Sequence, residues 1–267
     1  MTAARVATAY FVRDLRVELS YRTGFLLKVG AGLMAVALFY FVARFVRNVA
    51  PTTFDEYGGY FSFVVVGLAV AAYMNRGIGE IAGEMRKSQA FGALEIMILS
   101  PTRLPALLLS ASFPPYIIGL VTLLAYLVAG AALGADMSGA DIPAALVSLV
   151  VMIPSFVALG LFAAALVFVT KRGNPVAWAI RAISVLLGGV LYPVTVLPGW
   201  LQPVSEAIPL MHAADLARDS LLLGEGLTEV WPQVLALLGL TVIYLPLGLL
   251  LCAIALRMAR TEGSLSR

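Results

Sequence analysis

Ionisable side chains are scarce in this sequence. Lysine, arginine, aspartate and glutamate together make up 12% of 267 residues, and apolar residues make up 61%. In soluble domains about a quarter of residues are charged. With a mean hydropathy of +0.96, the chain has too little charge to cover a water-exposed surface, which excludes an ordinary soluble protein. We therefore expect an all-α membrane protein, with residues 1–267 forming a single transmembrane domain.

The residues that build most metal and covalent sites are also scarce. The sequence has one cysteine, Cys252, and one histidine, His212, which excludes an internal disulfide framework and a metal site of the usual Cys/His type. No stretch matches G-x-x-x-x-G-K-[ST] or H-E-x-x-H, so we expect neither an ATP-binding loop nor a zinc-protease helix. The sequence thus predicts no cofactor, no metal and no catalytic residue of its own.

The first 22 residues lack the unbroken apolar core of a cleavable signal peptide, because charged residues are scattered through them. Residues 4–22 instead predict an amphipathic helix at the membrane surface. Phe11 and Leu15 lie on its apolar side and Arg13 and Arg16 on its basic side. The alternative is a cytoplasmic extension of the first span.

Six apolar runs are long enough to cross a hydrocarbon core of about 30 Å. They cover residues 25–43, 59–75, 104–133, 143–170, 179–200 and 232–256, and their only charged residues are Lys28 and Arg181, near the ends. A charge at the centre of a span costs about 2.5–3.5 kcal/mol. We therefore predict six transmembrane helices.

The loops between these runs differ in positive charge. All lysines and arginines except Arg44, Arg47 and Arg218 fall on one side of the predicted membrane. Basic loops face the cytoplasm, so we expect a multi-pass protein of the cell membrane with both termini cytoplasmic.

A charged island, "GEMRKSQAFGALEIMILSPTR", separates the second and third runs. Residues 76–101 predict a cytoplasmic amphipathic helix that ends at Pro101, since proline disfavours helical geometry in the residue before it. Such a helix can dock into a groove of a soluble partner. A solvated loop that obeys the charge rule is the alternative.

The motif "EMRKSQAFGALEIMILSP" resembles the cytoplasmic loop of type-2 ABC exporter permeases, whose pattern is acidic, then G-T-L-E, then S-P; Ala93 stands where the family usually has Thr. "RDLRVELSYRTGFLL", "KRGNPVAW" and "YPVTVLPGWLQPVSEAIPLMHAADLARDSLL" resemble, in order, the interfacial helix, the second cytoplasmic loop and the outer segment of the same family.

The resemblance implies the membrane subunit of a bacterial inner-membrane exporter. Two copies, or two related chains, would pair with two cytoplasmic ATPase subunits that bind ATP and Mg²⁺. The island would be the coupling helix that seats in the ATPase; the residues that match the family pattern or offer a carboxylate are Glu84, Gly92, Leu94, Glu95, Ser100 and Pro101. For both carboxylates, an ion pair within the chain is the alternative.

The outer segment, residues 192–227, matches the family at Pro193, Pro198, Pro209 and Arg218. Its prolines and amphipathic tail predict two short re-entrant helices before the last span. Arg218 and Asp215 lie three residues apart, which favours a structural ion pair over a substrate ligand. Trp200 and Trp231 suit the membrane interface.

The leading hypothesis is therefore an export permease for a hydrophobic or amphipathic substrate (drug, lipid or glycolipid), with membrane lipid and no nucleic acid around it. An ATP-independent secondary transporter or channel is the alternative, although such proteins usually carry ionisable groups within their spans. An enzyme acting on lipids would depend on His212 and Asp215. Phe39, Tyr40, Phe41 and Phe45 either line an exit path or face lipid.

Overall fold

The fold is known from a computed structural model that describes residues 12, 16, 20, 22–49, 54–90, 112, 114–170 and 173–261. These residues form helices and turns, with no strand among them. The α-helices are α1 (Arg22–Val49), α2 (Tyr60–Ala90), α3 (Pro114–Ala132), α4 (Ile142–Thr170), α5 (Gly173–Leu187), α6 (Gln202–Glu206), α7 (Pro209–Arg218) and α8 (Trp231–Thr261). Shorter turns cover Asp55–Tyr57, Val194–Val196 and Asp219–Leu223.

Helices α2 and α4 form the centre of the bundle. Their apolar windows, Tyr60–Ile81 and Ile142–Leu166, are 72% and 61% buried. Helix α4 packs against α8 on one side and α2 on the other, and α3 packs against α2. Tyr73 holds these helices together through edge-on contacts with Tyr116 (ring centroids 5.5 Å apart) and Phe156 (6.3 Å).

Five of the described helices are long and apolar enough to cross a membrane: α1, α2, α3, α4 and α8. This confirms an all-helical membrane protein. The sixth predicted run, 179–200, is not one helix, because α5 has 15 residues and ends at Leu187. At 1.5 Å per residue α5 is about 22 Å long, shorter than the hydrocarbon core of about 30 Å.

Helix α5 ends just before the glycine pair Gly188-Gly189. Gly189 has a φ of +64°, a left-handed conformation that ends helices and that side chains disfavour. Pro193 follows in extended backbone. The apolar residues after Leu187 therefore belong to a turn.

We call the end of the bundle that carries the turns 54–59 and 133–141 the upper end. Residues 188–230, the upper segment, pack there: the amide of Asp141 donates to the carbonyl of Ser220 at 2.9 Å. Helix α2 starts at this end and continues through residues 76–90 to the lower end. The first part of the predicted coupling segment is thus the last part of α2 rather than a separate helix, because no proline interrupts the chain between Tyr60 and Ala90.

Candidate functional site

The upper segment begins where α5 ends and folds back over α2. Pro209 occupies the first turn of α7, where its missing amide hydrogen costs nothing. Helix α7 then runs into the bundle, and Leu210, Ala213 and Leu216 are fully buried. At the other end of α7, its last residue, Arg218, contacts α2.

Arg218 is 1% exposed and joins three parts of the chain. Its Nε donates to the carbonyl oxygen of Phe63 in α2 at 3.2 Å. Its Nη2 donates to the carbonyl oxygens of Gly189 (2.8 Å) and Val190 (3.1 Å). Its Nη1 pairs with Oδ1 of Asp215 at 3.0 Å. We call Arg218 and these four partners the Arg218 cluster.

The guanidinium also lies 3.5 Å from the centroid of the Phe63 ring. A cation over an aromatic face gains more when it is shielded from water. Burial lowers the pKa of the Arg218 guanidinium and Asp215 opposes that change, but arginine starts so far above neutrality that it keeps its charge. Arg218 is therefore a structural cation. It donates hydrogen bonds to carbonyl oxygens of the turn at 188–190, which would otherwise lack a donor.

This geometry supports the structural reading of Arg218 and Asp215. The other upper-segment prolines predicted as site residues, Pro193 and Pro198, lie in the turns around Val194–Val196: Pro193 caps that turn and the Pro198 carbonyl accepts from the Leu201 amide. His212 Nε2 lies 2.8 Å from the Glu206 carbonyl oxygen, which ties α7 to α6.

A second carboxyl, Asp219, lies beside the Arg218 cluster and outside the candidate spans. The Nε2 of Gln233 donates to its Oδ2 at 2.9 Å. Burial, together with the charges of Glu225 and Asp215, raises the pKa of Asp219 to about 7, although Arg218 opposes the rise. The upper end therefore contains a carboxyl that titrates near neutral pH.

We expect the protein to lose stability as the pH rises from 5 to 8, in part because of Asp219. An unfolded aspartate titrates near 3.9, so the folded state holds this proton more tightly, and that contribution falls between about pH 4 and 7. Asp219→Asn should raise the thermal midpoint at pH 8 by several degrees, because a rise of the pKa from about 3.9 to about 7 is worth at most about 4 kcal/mol and each kcal/mol shifts a chain of this size by about 2–4 °C. Thermal unfolding of the purified protein at four pH values measures it.

Asp136→Asn is the matched control. Hydrogen bonds from Ser138 lower the pKa of Asp136, so this exposed carboxyl is ionised throughout the range. Superimposable profiles for the wild type and Asp219→Asn would contradict the role given to Asp219.

At the lower end the structure covers part of the predicted coupling segment. Glu84 lies in the helical backbone of α2. Outside the described residues lie the other predicted coupling residues, Gly92, Leu94, Glu95, Ser100 and Pro101, and three residues of the predicted interfacial helix, Phe11, Arg13 and Leu15. Arg16 is helical and exposed. The coupling and interfacial roles stay predictions.

Sequence reasoning missed the acceptors of Arg218, because carbonyl oxygens belong to every residue and leave no pattern. Gly67 is the one weak sequence signal for this contact. A Cβ at that position would lie 2.6 Å from both Nη2 of Arg218 and the carbonyl oxygen of Val190. The small residue in an apolar run marks the close approach of a partner, but the sequence does not say which.

Residues 46–250 match the model of a family described as ABC-2 family transporter protein. The matched range contains all of the 76–101 segment and the upper segment, and it leaves out the first 45 residues. No curated protein matches the chain.

Proposed function

Because the chain belongs to the ABC-2 family of transporter proteins, we propose that it is the permease subunit of an ABC exporter. It moves a hydrophobic or amphipathic compound outward, and a separate cytoplasmic ATPase supplies the energy. The family match over 46–250 carries this proposal. It is supported by five apolar helices of membrane length and by a sequence without a phosphate-binding loop.

The proposed orientation puts the lower end in the cytoplasm. Most of the lysines and arginines flank the lower ends of the spans, as cytoplasmic loops do. The upper segment then faces the outside, with α6 and α7 as re-entrant helices in the outer leaflet. Trp200 and Trp231 are 74% and 54% exposed, which suits anchors at that interface.

The proposed assembly contains two permease chains, identical or related, and two ATPase subunits in a bacterial inner membrane. Helices α1 and α8 are only 11% and 17% buried over their apolar windows. Their exposed side chains include Leu27, Met34, Phe41 and Val242. In water such faces would aggregate; lipid and the second permease chain cover them.

The coupling role of the island predicts a specific loss of partner binding. Glu84→Ala combined with Glu95→Ala should lower ATPase association at least about a hundredfold, because two charge-assisted contacts of about 1.5–3 kcal/mol each are removed. The tagged permease is purified in mild detergent from native membranes, and ATP-binding-cassette subunits are counted by mass spectrometry together with the ATP hydrolysis of the eluate.

The matched control replaces two exposed carboxylates of the upper end, Glu56→Ala with Glu206→Ala, which should leave association unchanged. If the unaltered chain binds no such ATPase, the exporter proposal fails. If both double variants bind as well as the wild type, only the contacts assigned to Glu84 and Glu95 fail.

A further inference from the structure

A cleft of about 800 Å³ opens at the upper end, between the end of α1, the start of α2 and the turn after α3. It is separate from the Arg218 cluster. Its lining includes the charged residues Arg44 and Asp55, the aromatic residues Tyr40, Phe54 and Phe61, and the buried Ser62. The family match and the proposed transport cycle do not explain why these groups face one space.

Arg44 supplies a fixed positive charge on one side of the cleft. Its Nη2 donates to the hydroxyl of Tyr40 at 2.8 Å, and its guanidinium lies 4.9 Å from the centroid of the same ring. Tyr40 is in turn held edge-on by Phe61, with centroids 5.4 Å apart. Within the described ranges, no carboxylate forms a salt bridge with Arg44. The charge is therefore positioned by an aromatic side chain, and no carboxylate of the described residues pairs with it.

The first turn of α2 adds donors to the same cleft. The first amides of a helix lack intrahelical acceptors and carry a partial positive charge, and here that turn contains Tyr60, Phe61 and Ser62. Ser62 is 1% exposed, and its Oγ has no hydrogen-bond partner among the described residues. A buried hydroxyl without a partner is costly. An anion that accepts from Ser62 and pairs with Arg44 would satisfy both.

The cleft also carries a negative charge, that of Asp55. Asp55 is exposed at the rim, and beside it the rings of Phe54 and Tyr60 meet edge-on with centroids 5.0 Å apart. A carboxylate next to aromatic faces suits an ammonium group, whereas it repels a ligand that carries negative charge alone. The cleft is complementary to a ligand with both charges.

The position of the cleft along α1, near the end of the apolar window, indicates that its ligand is an amphiphile. Arg44 lies near the end of the apolar window Val29–Val46, at the level where lipid headgroups meet the hydrocarbon core. Phe41 and Phe45, on the same helix, are 66% and 70% exposed and offer an apolar surface for chains attached to a bound headgroup.

We propose that this cleft binds the headgroup of a zwitterionic phospholipid. Its phosphate is held by Arg44, Ser62 and the first turn of α2, and its amine lies against Asp55 and the neighbouring rings. Binding requires this chain alone, without ATPase or nucleotide.

The test measures binding of short-chain lipids to the purified permease by isothermal titration calorimetry. The probes are dihexanoyl phosphatidylethanolamine, dihexanoyl phosphatidic acid, which lacks the amine, and inorganic phosphate. The wild type should prefer the ethanolamine lipid. Arg44→Gln should weaken its binding about tenfold, as expected for a lost hydrogen bond to a charged group. Ser62→Ala should weaken it about threefold.

Asp55→Asn is a more discriminating test than Arg44→Gln or Ser62→Ala, because the expected effect is stronger binding of one lipid. Removing the carboxylate should strengthen the binding of phosphatidic acid about fivefold and abolish the preference for the amine. The matched control is Asp136→Asn, an exposed carboxylate near Gly58 that does not line the cleft. It should leave the affinities unchanged.

Three outcomes overturn the proposal: equal affinity of the wild type and Arg44→Gln for the ethanolamine lipid, an unchanged preference in Asp55→Asn, or competition by inorganic phosphate at the concentration at which the lipid binds. The last result would make the cleft a site for free phosphate. Each of them leaves the exporter proposal standing, since that proposal is tested by the association with ATPase.

Discussion

Replacing Arg218 with methionine should lower the thermal midpoint of the purified protein by on the order of 10 °C. Leaving a buried acceptor without its donor costs about 1–3 kcal/mol, Arg218 donates to three such carbonyls, and each kcal/mol shifts the midpoint of a chain of this size by about 2–4 °C. The loss has a visible cause: the carbonyls of Phe63, Gly189 and Val190 lose their donor together. Thermal unfolding in detergent, with the yield of folded protein, measures it.

Two further variants separate the charge from the shape of the side chain. Arg218→Lys keeps the charge, but a lysine ammonium lacks the planar fork that reaches several acceptors, so an intermediate loss is expected. Asp215→Asn retains an oxygen for Nη1 and should cost less than either. If Arg218→Met unfolds within about 2 °C of the wild type, the Arg218 cluster contributes little to stability.

The second large effect is expected at Gly67 of α2. The Cβ of an alanine at this position would lie 2.6 Å from the carbonyl oxygen of Val190 and from Nη2 of Arg218, so the backbone at 188–190 must move. Overpacking of this kind costs about 1–3 kcal/mol, which corresponds to several degrees in the thermal midpoint.

Gly239→Ala in α8 is the matched control. A Cβ there meets no atom within 4 Å, and alanine favours helix over glycine by about 0.5–1 kcal/mol, so this variant should be neutral or more stable. The double variant Gly67→Ala/Arg218→Met should lose less than the sum of the single losses, because both act on one contact. Full additivity would show that the two residues act independently.

The chain's apolar runs were sufficient to predict a helical membrane protein, because lipid requires continuous apolar helices. The three-residue spacing of Asp215 and Arg218 was likewise sufficient to predict their pairing. The prediction of one span over residues 179–200 was wrong, because α5 ends at Leu187. Apolar residues are needed both to cross lipid and to line a buried turn, and hydropathy does not distinguish these two uses. Only the backbone conformation of Gly189 shows where the helix ends.

The contacts made by Arg218 were beyond sequence reasoning for a different reason. Phe63 lies 155 residues before Arg218 in the chain, and no local pattern encodes a pairing over that separation. The cleft beside Arg44 is similar, since it combines side chains from α1, the 54–59 turn and the start of α2.

Helix α2 has a mechanical consequence. It is one 31-residue rod from Tyr60 to Ala90, so the backbone at Glu84 and the carbonyl that anchors Arg218 move as parts of the same lever. Glu84 lies about 25 Å along the helix axis from Gly67 at 1.5 Å per residue. A tilt of about 5° around Gly67 therefore displaces the lower end by about 2 Å. Under the proposed exporter function, a small push by an ATPase at the lower end would reach the upper segment through this one continuous helix.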